Sequence, residues 1–300
     1  MSGVEAHTRS PALEHMQRKI DELPLLPQAL VKLLQLNRSS EEFFDEFERV
    51  VKEDPTFAVR VIALANSASS SPVSPITSIR EAITRMGAAT ISGLVSSLAV
   101  QRVFMPSEPG EVRLWTHSIF VACAAEEIAR MAVDLRVDPG QAYLAGLLHD
   151  IGRFVMLEHA PDELHAVDAS DWHTPDELLQ ADADVYGYTH SELGHLACHR
   201  WGLPESICEL VRNHHESLPA DIEPGSAAAI NFCVQLGDRL SIFVLEDEFD
   251  DDEQLLARIQ QTCLDPVDDR QRMAASDLLN RVSHMRDAGE SLLSGLGLAA

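Results

Sequence analysis

The residues best suited to chemistry in this sequence are two neighbours, His149 and Asp150, in the stretch Ala145-Gly-Leu-Leu-His-Asp-Ile-Gly-Arg153. An imidazole beside a carboxylate is costly to bury in an apolar segment unless a cation satisfies both groups. Imidazole nitrogen and carboxylate oxygen together suit borderline to hard divalent metals. The pair therefore indicates a metal site, and it requires further ligands from other parts of the chain.

Those further ligands are available, because several other histidines and one aspartate fall on apolar helical stripes or at helix ends. The ligands expected for a first ion are His117, His149, Asp150 and Asp238, and those for a second are His190, His214 and His215, with Asp150 shared. Iron, manganese and zinc are the transition metals that this ligand set favours. Two alternatives stay open: each histidine alone could be an ordinary core residue, and Asp238 could pair with Arg153 without an ion.

Helix start signals predict where these residues lie. Pro139 begins a helix that ends at His149, and Thr174 with Pro175 and Glu177 begins another. A capping box of Thr189 and Glu192 places His190 in the first turn of the next helix. A final core helix over residues 226–245 carries Asp238 on its apolar face. His195 and His199 are four residues apart and could chelate a metal, but they lie on a different helix face from His190, so we expect surface histidines.

The sequence predicts an all-α fold, because no segment alternates between apolar and polar residues with a period of two. A polar, disordered tail is expected at residues 1–18, followed by an N-terminal helical lobe at 19–105. Residues 106–110 form the expected boundary, and a second helical lobe spans 110–245. Residues 246–300 are expected to form an acidic linker and C-terminal helices.

Composition narrows the classes of function. A net charge of −25 over 300 residues argues against a nucleic-acid-binding face, which needs a basic patch to neutralise phosphates. The five cysteines form no close pair in sequence, which is typical of free thiols in a reducing compartment. The chain contains no apolar run of eighteen residues and no secretory signal segment. We therefore expect a cytoplasmic protein without nucleic-acid or membrane partners.

The ligand order resembles that of the HD superfamily of metal-dependent phosphohydrolases, and more closely that of the HDOD family of bacterial signalling output domains. The motifs that carry the resemblance are Leu23-Pro-Leu-Leu-Pro-Gln28, Asp54-Pro-Thr-Phe-Ala-Val-Arg-Val-Ile-Ala-Leu-Ala-Asn-Ser-Ala68, Ile76-Thr-Ser-Ile-Arg-Glu-Ala-Ile83, Leu114-Trp-Thr-His-Ser118, residues 145–153, His190-Ser-Glu-Leu-Gly194, Arg200-Trp-Gly-Leu-Pro204 and His214-His-Glu216. The resemblance implies an all-helical fold of two lobes and a regulatory role.

Two departures from related families affect the expected activity. Many HDOD members have lost metal ligands, whereas this chain matches the HD positions one by one. The related HD-GYP phosphodiesterases carry a Gly-Tyr-Pro loop after their paired histidines, and here Glu216 is followed by Ser-Leu-Pro-Ala-Asp-Ile-Glu-Pro-Gly. Those enzymes also have Lys at the position of Arg153. We therefore expect no useful hydrolysis of cyclic di-GMP.

Two functions follow from these observations. The first is a signalling protein that acts through protein partners, with one or two metal ions bracing its second lobe. The alternative is a metal-dependent phosphohydrolase acting on a phosphate-containing small molecule. In that case the metal would lower the pKa of a bound water to about 7. Asp150 would then act at the metal, and Arg153 would stabilise charge developing on the phosphate.

Overall fold

A computed structural model of the chain describes residues 11–23, 31, 43–47, 49, 59, 61–62, 64–66, 79–101, 103–105, 109–170, 172, 174–219, 221–245, 252–264 and 274–298. Within these ranges the secondary structure is helical and contains no β-strand, which confirms the all-α prediction. Several sequence motifs lie outside the described residues, including 24–28, most of 54–68 and the acidic run at 246–250.

Twelve α-helices account for most of the described residues. In chain order they are α1 (Pro11–Glu22), α2 (Ile79–Gln101), α3 (Pro109–Met131), α4 (Pro139–Leu148), α5 (Ile151–His159), α6 (Pro161–Asp168), α7 (Pro175–Tyr186), α8 (His190–Arg200), α9 (Glu205–Arg212), α10 (Ala227–Val244), α11 (Asp252–Arg258) and α12 (Ala275–Leu296). A 3₁₀ turn at Val133–Leu135 follows α3, and a π-helical turn at Ile259–Leu264 follows α11.

The chain divides into two compact units, each assembled from two separate stretches. Unit 1 comprises Met1–Leu25 and Asp150–His215, and unit 2 comprises Leu26–His149 and Glu216–Ala300. The units interleave along the chain, whereas the lobes expected from the sequence are consecutive. Those lobes, at residues 19–105 and 110–245, stay a prediction.

In unit 1, α8 is the central helix and packs against α1, α5 and α9. Gly152, in the first turn of α5, explains how closely α5 approaches α8. A Cβ atom at this position would lie 1.9 Å from the backbone oxygen of His190, so no residue larger than glycine fits. The backbone that follows Asp150 therefore lies directly against the backbone of His190.

In unit 2, α3 is the central helix and packs against α4, α10 and α12. Its inner face buries Trp115, Ile119 and Ile128 completely. Gly146 allows α4 to approach α3, because a Cβ atom there would lie 2.8 Å from the Cα atom of Ala122. The helix that ends at His149 is thereby fixed against the helix that carries His117.

Local signals predict several helix boundaries correctly. Asp138 caps α4 through a hydrogen bond from the backbone N–H of Gln141 at 2.9 Å, with Pro139 in the first turn. Both predicted capping boxes are present, at Thr174 with Glu177 and at Thr189 with Glu192. Gly87, at φ 80°, separates two helical segments within α2, as expected of a helix-ending glycine.

The structure differs from the sequence-based expectation in two polar segments. Residues 11–18, expected to be part of a disordered tail, lie in α1, where Met16 and Ile20 are buried. Helix α1 is further tied to α8 by a 2.9 Å hydrogen bond from Arg200 to the backbone oxygen of Asp21. The sequence between α5 and α7 gives no clear helical pattern, yet residues 161–168, which include His165, form α6, where Leu164 and Val167 are buried. In both segments a narrow apolar stripe is enough to stabilise a helix, because packing against the rest of the fold covers that stripe.

The described helices include none that is by itself long and apolar enough to cross a membrane, although Glu81–Gly87 and Thr90–Gln101 would qualify jointly by length and composition.

Candidate metal centre

Four predicted ligands come together in unit 1 and form a compact group, which we call the Asp150 cluster: Asp150, His190, His214 and His215. One ligand atom from each lies within 4.8 Å of the others. The Nε2 atom of His190 lies 3.4 Å from that of His214 and 3.0 Å from that of His215. The Oδ1 atom of Asp150 lies 3.4 Å from His190 Nε2 and 3.6 Å from His214 Nε2.

Three helix ends position this cluster. His190 is the first residue of α8, where the Thr189–Glu192 capping box fixes the start of the helix. His214 and His215 follow the last turn of α9, and Asp150 immediately precedes α5. The capping box holds the first turn of α8, and backbone hydrogen bonds from Asn213 to the oxygens of Glu209 and Leu210 hold the end of α9.

Hydrogen bonds to the other ring nitrogens decide which histidine atoms face the cluster. The Nδ1 atom of His190 lies 2.5 Å from Oδ2 of Asp182, and Nδ1 of His214 lies 2.7 Å from the backbone oxygen of Val211. A backbone oxygen, like an ionised carboxylate, only accepts hydrogen bonds, so both Nδ1 atoms carry the proton. In the neutral imidazoles the Nε2 atoms are therefore acceptors.

This arrangement fits a divalent metal. Two acceptor nitrogens at 3.4 Å, with a carboxylate oxygen at 3.4–3.6 Å, repel each other unless a cation lies among them. Tetrahedral ligands at metal distances of about 2.0–2.1 Å lie roughly 3.3 Å apart, which matches these separations. Histidine ligands oriented by a carboxylate or a backbone oxygen through the second ring nitrogen are typical of metal sites.

Three more predicted ligands come together in unit 2, and we call them the His117 group: His117, His149 and Asp238. The Nε2 atoms of His117 and His149 are 3.2 Å apart, and Asp238 Oδ1 lies 3.5 Å and 3.8 Å from them. His149 Nδ1 donates to the backbone oxygen of Gly146 at 2.7 Å, which leaves Nε2 as the acceptor.

Ser241 orients the other histidine of this group. Its hydroxyl donates to the backbone oxygen of Asp238 at 2.6 Å, so its oxygen is left to accept from Nδ1 of His117 at 3.0 Å. His117 Nε2 is then an acceptor as well, directed at His149. The His117 group is thus a second set of converging nitrogen and oxygen ligands, and its chemistry also fits a divalent metal.

Arg153 lies beside the Asp150 cluster in unit 1 and contacts carboxylates. Its guanidinium forms an ion pair with Asp168 and lies 3.8 Å from Asp150. Burial alone would lower the pKa of Arg153, but the carboxylates of Asp150, Asp168 and Asp182 raise it overall. Arg153 is therefore a permanent cation that can orient Asp150, while its expected role on a bound phosphate stays a prediction.

Within each unit the structure brings the expected ligands together, and the shared use of Asp150 by two ions stays a prediction. Sequence reasoning missed Asp182 and Ser241, which orient ligands without being ligands themselves. Asp182 is completely buried, but in sequence it resembles the solvent-facing Asp184 two residues later. Ser241 follows Asp238 by three residues, and this spacing on one helix is the only signal that could have indicated it.

Comparison with known proteins gives the family and the fold. The sequence pattern of the HDOD domain matches residues 23–217. An HDOD domain protein of unknown function from Geobacter sulfurreducens has a TM-score of 0.65 at 25% identity, over 94% of this chain and 96% of that protein. A proposed phosphohydrolase from Shewanella amazonensis has a TM-score of 0.66 at 22% identity, over 96% of this chain and 98% of that chain.

Two further relatives are longer than this chain. A proposed signal transduction protein from Marinobacter aquaeolei has a TM-score of 0.67 at 22% identity, over 96% of this chain and 64% of that one. An uncharacterised protein from Treponema pallidum (strain Nichols) is 24% identical over 215 residues, which are 71% of this chain. The match spans only 41% of the Treponema protein.

Proposed function

Because this chain belongs to the HDOD domain family, we propose that it is a signal-transduction protein whose unit 1 binds a divalent transition metal at the Asp150 cluster. Iron, manganese and zinc are the metals that fit its ligands. The protein acts through protein partners in the cytoplasm, and its metal is a structural brace. The observation that carries the proposal is the convergence on Nε2 of His190. This atom lies 3.4 Å from Nε2 of His214, 3.0 Å from Nε2 of His215 and 3.4 Å from Oδ1 of Asp150.

The role of the metal as a brace follows from where its ligands lie in the chain. Asp150 precedes α5, His190 begins α8, and the paired histidines follow α9. A cation held by all four residues would therefore join three helices of unit 1. Since a ligand that binds only the folded state stabilises it by mass action, the bound metal would raise the melting temperature.

Metal analysis tests this proposal. The purified protein, after reconstitution and removal of loose ions, should retain about one equivalent or more of transition metal. Asp150→Ala should lower that content and the melting temperature, because it removes one of the four ligands in unit 1. His165→Ala, which changes an exposed histidine of α6, is the matched control and should alter neither. Full retention of metal in Asp150→Ala would contradict the proposal.

One observation favours the second candidate function, metal-dependent phosphohydrolysis. The side chains of His117 and Asp238 are 25% and 21% exposed, so the His117 group is reachable by water. When bound there, a metal supplies Lewis acidity and a bound water that ionises near neutral pH. His149 and His117 hold their Nε2 atoms toward the site through Gly146 and Ser241.

A phosphatase assay of the metal-loaded protein tests the second candidate. Release of phosphate from a simple aryl phosphate that disappears in Asp238→Ala would establish it. Cyclic di-GMP should remain intact in the same assay, as expected from the absent Gly-Tyr-Pro loop. Absence of turnover with manganese, iron or zinc leaves the signalling function as the sole candidate of the two.

A further inference from the structure

A third group of ligand-type side chains lies at the corner between α8 and α9, apart from the Asp150 cluster. We call it the corner group: His199, Glu205 and Cys208. One ligand atom from each lies within 4.8 Å of the others, and His199 Nε2 is 3.4 Å from Glu205 Oε2. Sequence spacing indicated His195 as the second ligand beside His199, but the ligand atoms grouped with His199 come from Glu205 and Cys208 of α9.

The fold of the corner explains this orientation. The turn at residues 201–204 is tight, with Gly202 at φ 69° and a 3.1 Å hydrogen bond from Leu203 N–H to the oxygen of Cys198. His195 Nδ1 lies 3.1 Å from the backbone oxygen of Cys208 and so donates to it. The rings of His195 and His199 meet edge to face, with centroids 4.5 Å apart. His195 thus supports both the ring of His199 and the backbone of Cys208.

Cys208 differs from the other four cysteines in its environment. Burial raises the pKa of Cys123, Cys233 and Cys263, so these thiols stay neutral. The sulfur of Cys208 lies within 4.8 Å of the ligand atoms of His199 and Glu205. A thiol placed among a ring nitrogen and a carboxylate oxygen is positioned to bind a metal ion.

We propose that the corner group is a separate metal site that takes zinc or another thiophilic divalent cation. The ligands are the sulfur of Cys208, Nε2 of His199 and a carboxylate oxygen of Glu205, with water as the fourth. Sulfur, nitrogen and oxygen ligands in a four-coordinate set are characteristic of zinc. In the metal-free protein the thiol of Cys208 donates to the backbone oxygen of Leu203, with Sγ 3.6 Å from that oxygen. Metal binding releases this thiol proton. The site joins α8, which begins with His190, to α9, which precedes His214 and His215.

Cobalt titration of the full chain tests this site independently of the Asp150 cluster. Cobalt(II) bound by a thiolate gives a sulfur-to-metal charge-transfer band in the near ultraviolet, which purely nitrogen and oxygen ligands do not give. The wild-type protein should develop this band and saturate it after about one equivalent beyond the cobalt that the Asp150 cluster takes up, and excess zinc should abolish it. Asp150→Ala should keep the band while the Asp150 cluster loses its metal. This variant therefore distinguishes failure of the corner site from failure of the proposed function.

Variants of exposed ligands avoid the risk of unfolding. His199 and Glu205 are 43% and 65% exposed, so His199→Gln and Glu205→Gln should fold normally. Each should weaken cobalt binding roughly ten-fold or more, judged by the same band. The matched control is Asp176→Asn, an exposed carboxylate of α7 outside the corner group, which should leave the affinity unchanged.

Cysteine variants identify the sulfur. Cys208→Ser should remove the band, and Cys198→Ala should retain it, because Cys198 only donates a hydrogen bond to the ligand sulfur. The proposal is overturned if the wild-type protein shows no band, or if the band survives both His199→Gln and Glu205→Gln at full affinity. Loss of the band in Cys198→Ala but not in Glu205→Gln would also overturn it, because the thiol pair would then be the binding site.

Discussion

At the scale of single residues, the most informative side chain is Asp182, which binds no expected ion but determines what His190 can do. Its Oδ2 atom accepts from both the backbone N–H of His190, at 3.0 Å, and the ring Nδ1, at 2.5 Å. A carboxylate in this position makes the opposite ring nitrogen a stronger metal ligand. His117 Nδ1 donates instead to the neutral hydroxyl oxygen of Ser241, so the Asp150 cluster should bind metal more tightly than the His117 group.

We therefore expect Asp182→Asn to lower metal affinity about 10–100-fold, the range found for partners that orient metal ligands. An asparagine can present its amide nitrogen to Nδ1, which favours the wrong imidazole tautomer. Competition with a chelator of known affinity measures the change, and circular dichroism checks that the fold is kept. Asp184→Asn, on the same helix but solvent-facing, is the control. Equal affinity in both variants would show that Asp182 has no positioning role.

Buried thiols give a second prediction at this scale. Burial raises the pKa values of Cys233 and Cys263 to about 12 from 9.0. Each thiol is neutral in the folded state and ionises first in the unfolded state, so its stabilising contribution is complete below pH 9 and is lost as the pH rises toward 12. The melting temperature should fall through this window, and less steeply in Cys233→Ala/Cys263→Ala than in the wild type. If the melting temperatures of the two proteins fell equally with rising pH, the buried thiols would not be the cause.

The sequence indicated the residues that come together but not the residues that orient them, and the reason is physical. His149 and Asp150 are conspicuous because adjacent polar groups in an apolar run need a cation. Asp182 and Ser241 act only through contacts made by folding, and their local sequence is ordinary for a polar helix face. The same limit applied to the corner group, where helix spacing paired His199 with His195, whereas the turn at Gly202 brought Glu205 and Cys208 to it.

At the scale of elements, the approach of α5 to α8 depends on one glycine. A methyl group at position 152 would meet the backbone oxygen of His190 at 1.9 Å, and backbone atoms cannot yield without moving one of the helices. Gly152→Ala should therefore destabilise unit 1 by about 3 kcal/mol or more and lower metal retention. Thermal denaturation and metal analysis of the variant measure the two effects.

Gly289→Ala is the matched control for this helical glycine. A Cβ atom at position 289 of α12 would have no neighbour closer than 3.9 Å, which is ordinary contact. Alanine is also the better helix former, so this variant should be as stable as the wild type or slightly more stable. Similar losses in both variants would show that close approach at Gly152 is not the cause.

Helix boundaries were more predictable than helix packing. Capping boxes at Thr174 and Thr189 and the Asp138-Pro139 start are local signals, and the structure confirms all three. Helix α1 begins at a proline, Pro11, as α4 does, but it has too few apolar residues to be stable alone. Its helical form depends on burial of Met16 and Ile20 against the rest of unit 1, which sequence periodicity over a short polar segment does not reveal.

At the scale of the whole molecule, the question is whether the proposed metal centre serves signalling or hydrolysis. His149→Ala with Asp150→Ala removes one expected ligand from the His117 group and one from the Asp150 cluster. Under the proposed signalling function, this double variant should lose metal and several degrees of melting temperature but still complement a deletion strain. Complementation is measured after confirming that the protein accumulates to the wild-type level.

The opposite outcome would favour the enzyme. Failure to complement at normal abundance, together with a metal-dependent phosphatase activity of the wild-type protein, would exclude the signalling function proposed for the centre. Glu209→Gln is a suitable control strain, because it alters one exposed carboxylate and no proposed ligand.

The interleaving of the two units has a consequence for protein synthesis. Helix α1 belongs to unit 1, yet its partner Arg200 lies 179 residues further along the chain than Asp21. At about 5–20 residues per second, the ribosome needs roughly 10–35 seconds between making the two. During that interval the buried face of α1, with Met16 and Ile20, has no α8 to cover it. Nascent chains should therefore expose this segment to chaperones until residue 200 has left the ribosome.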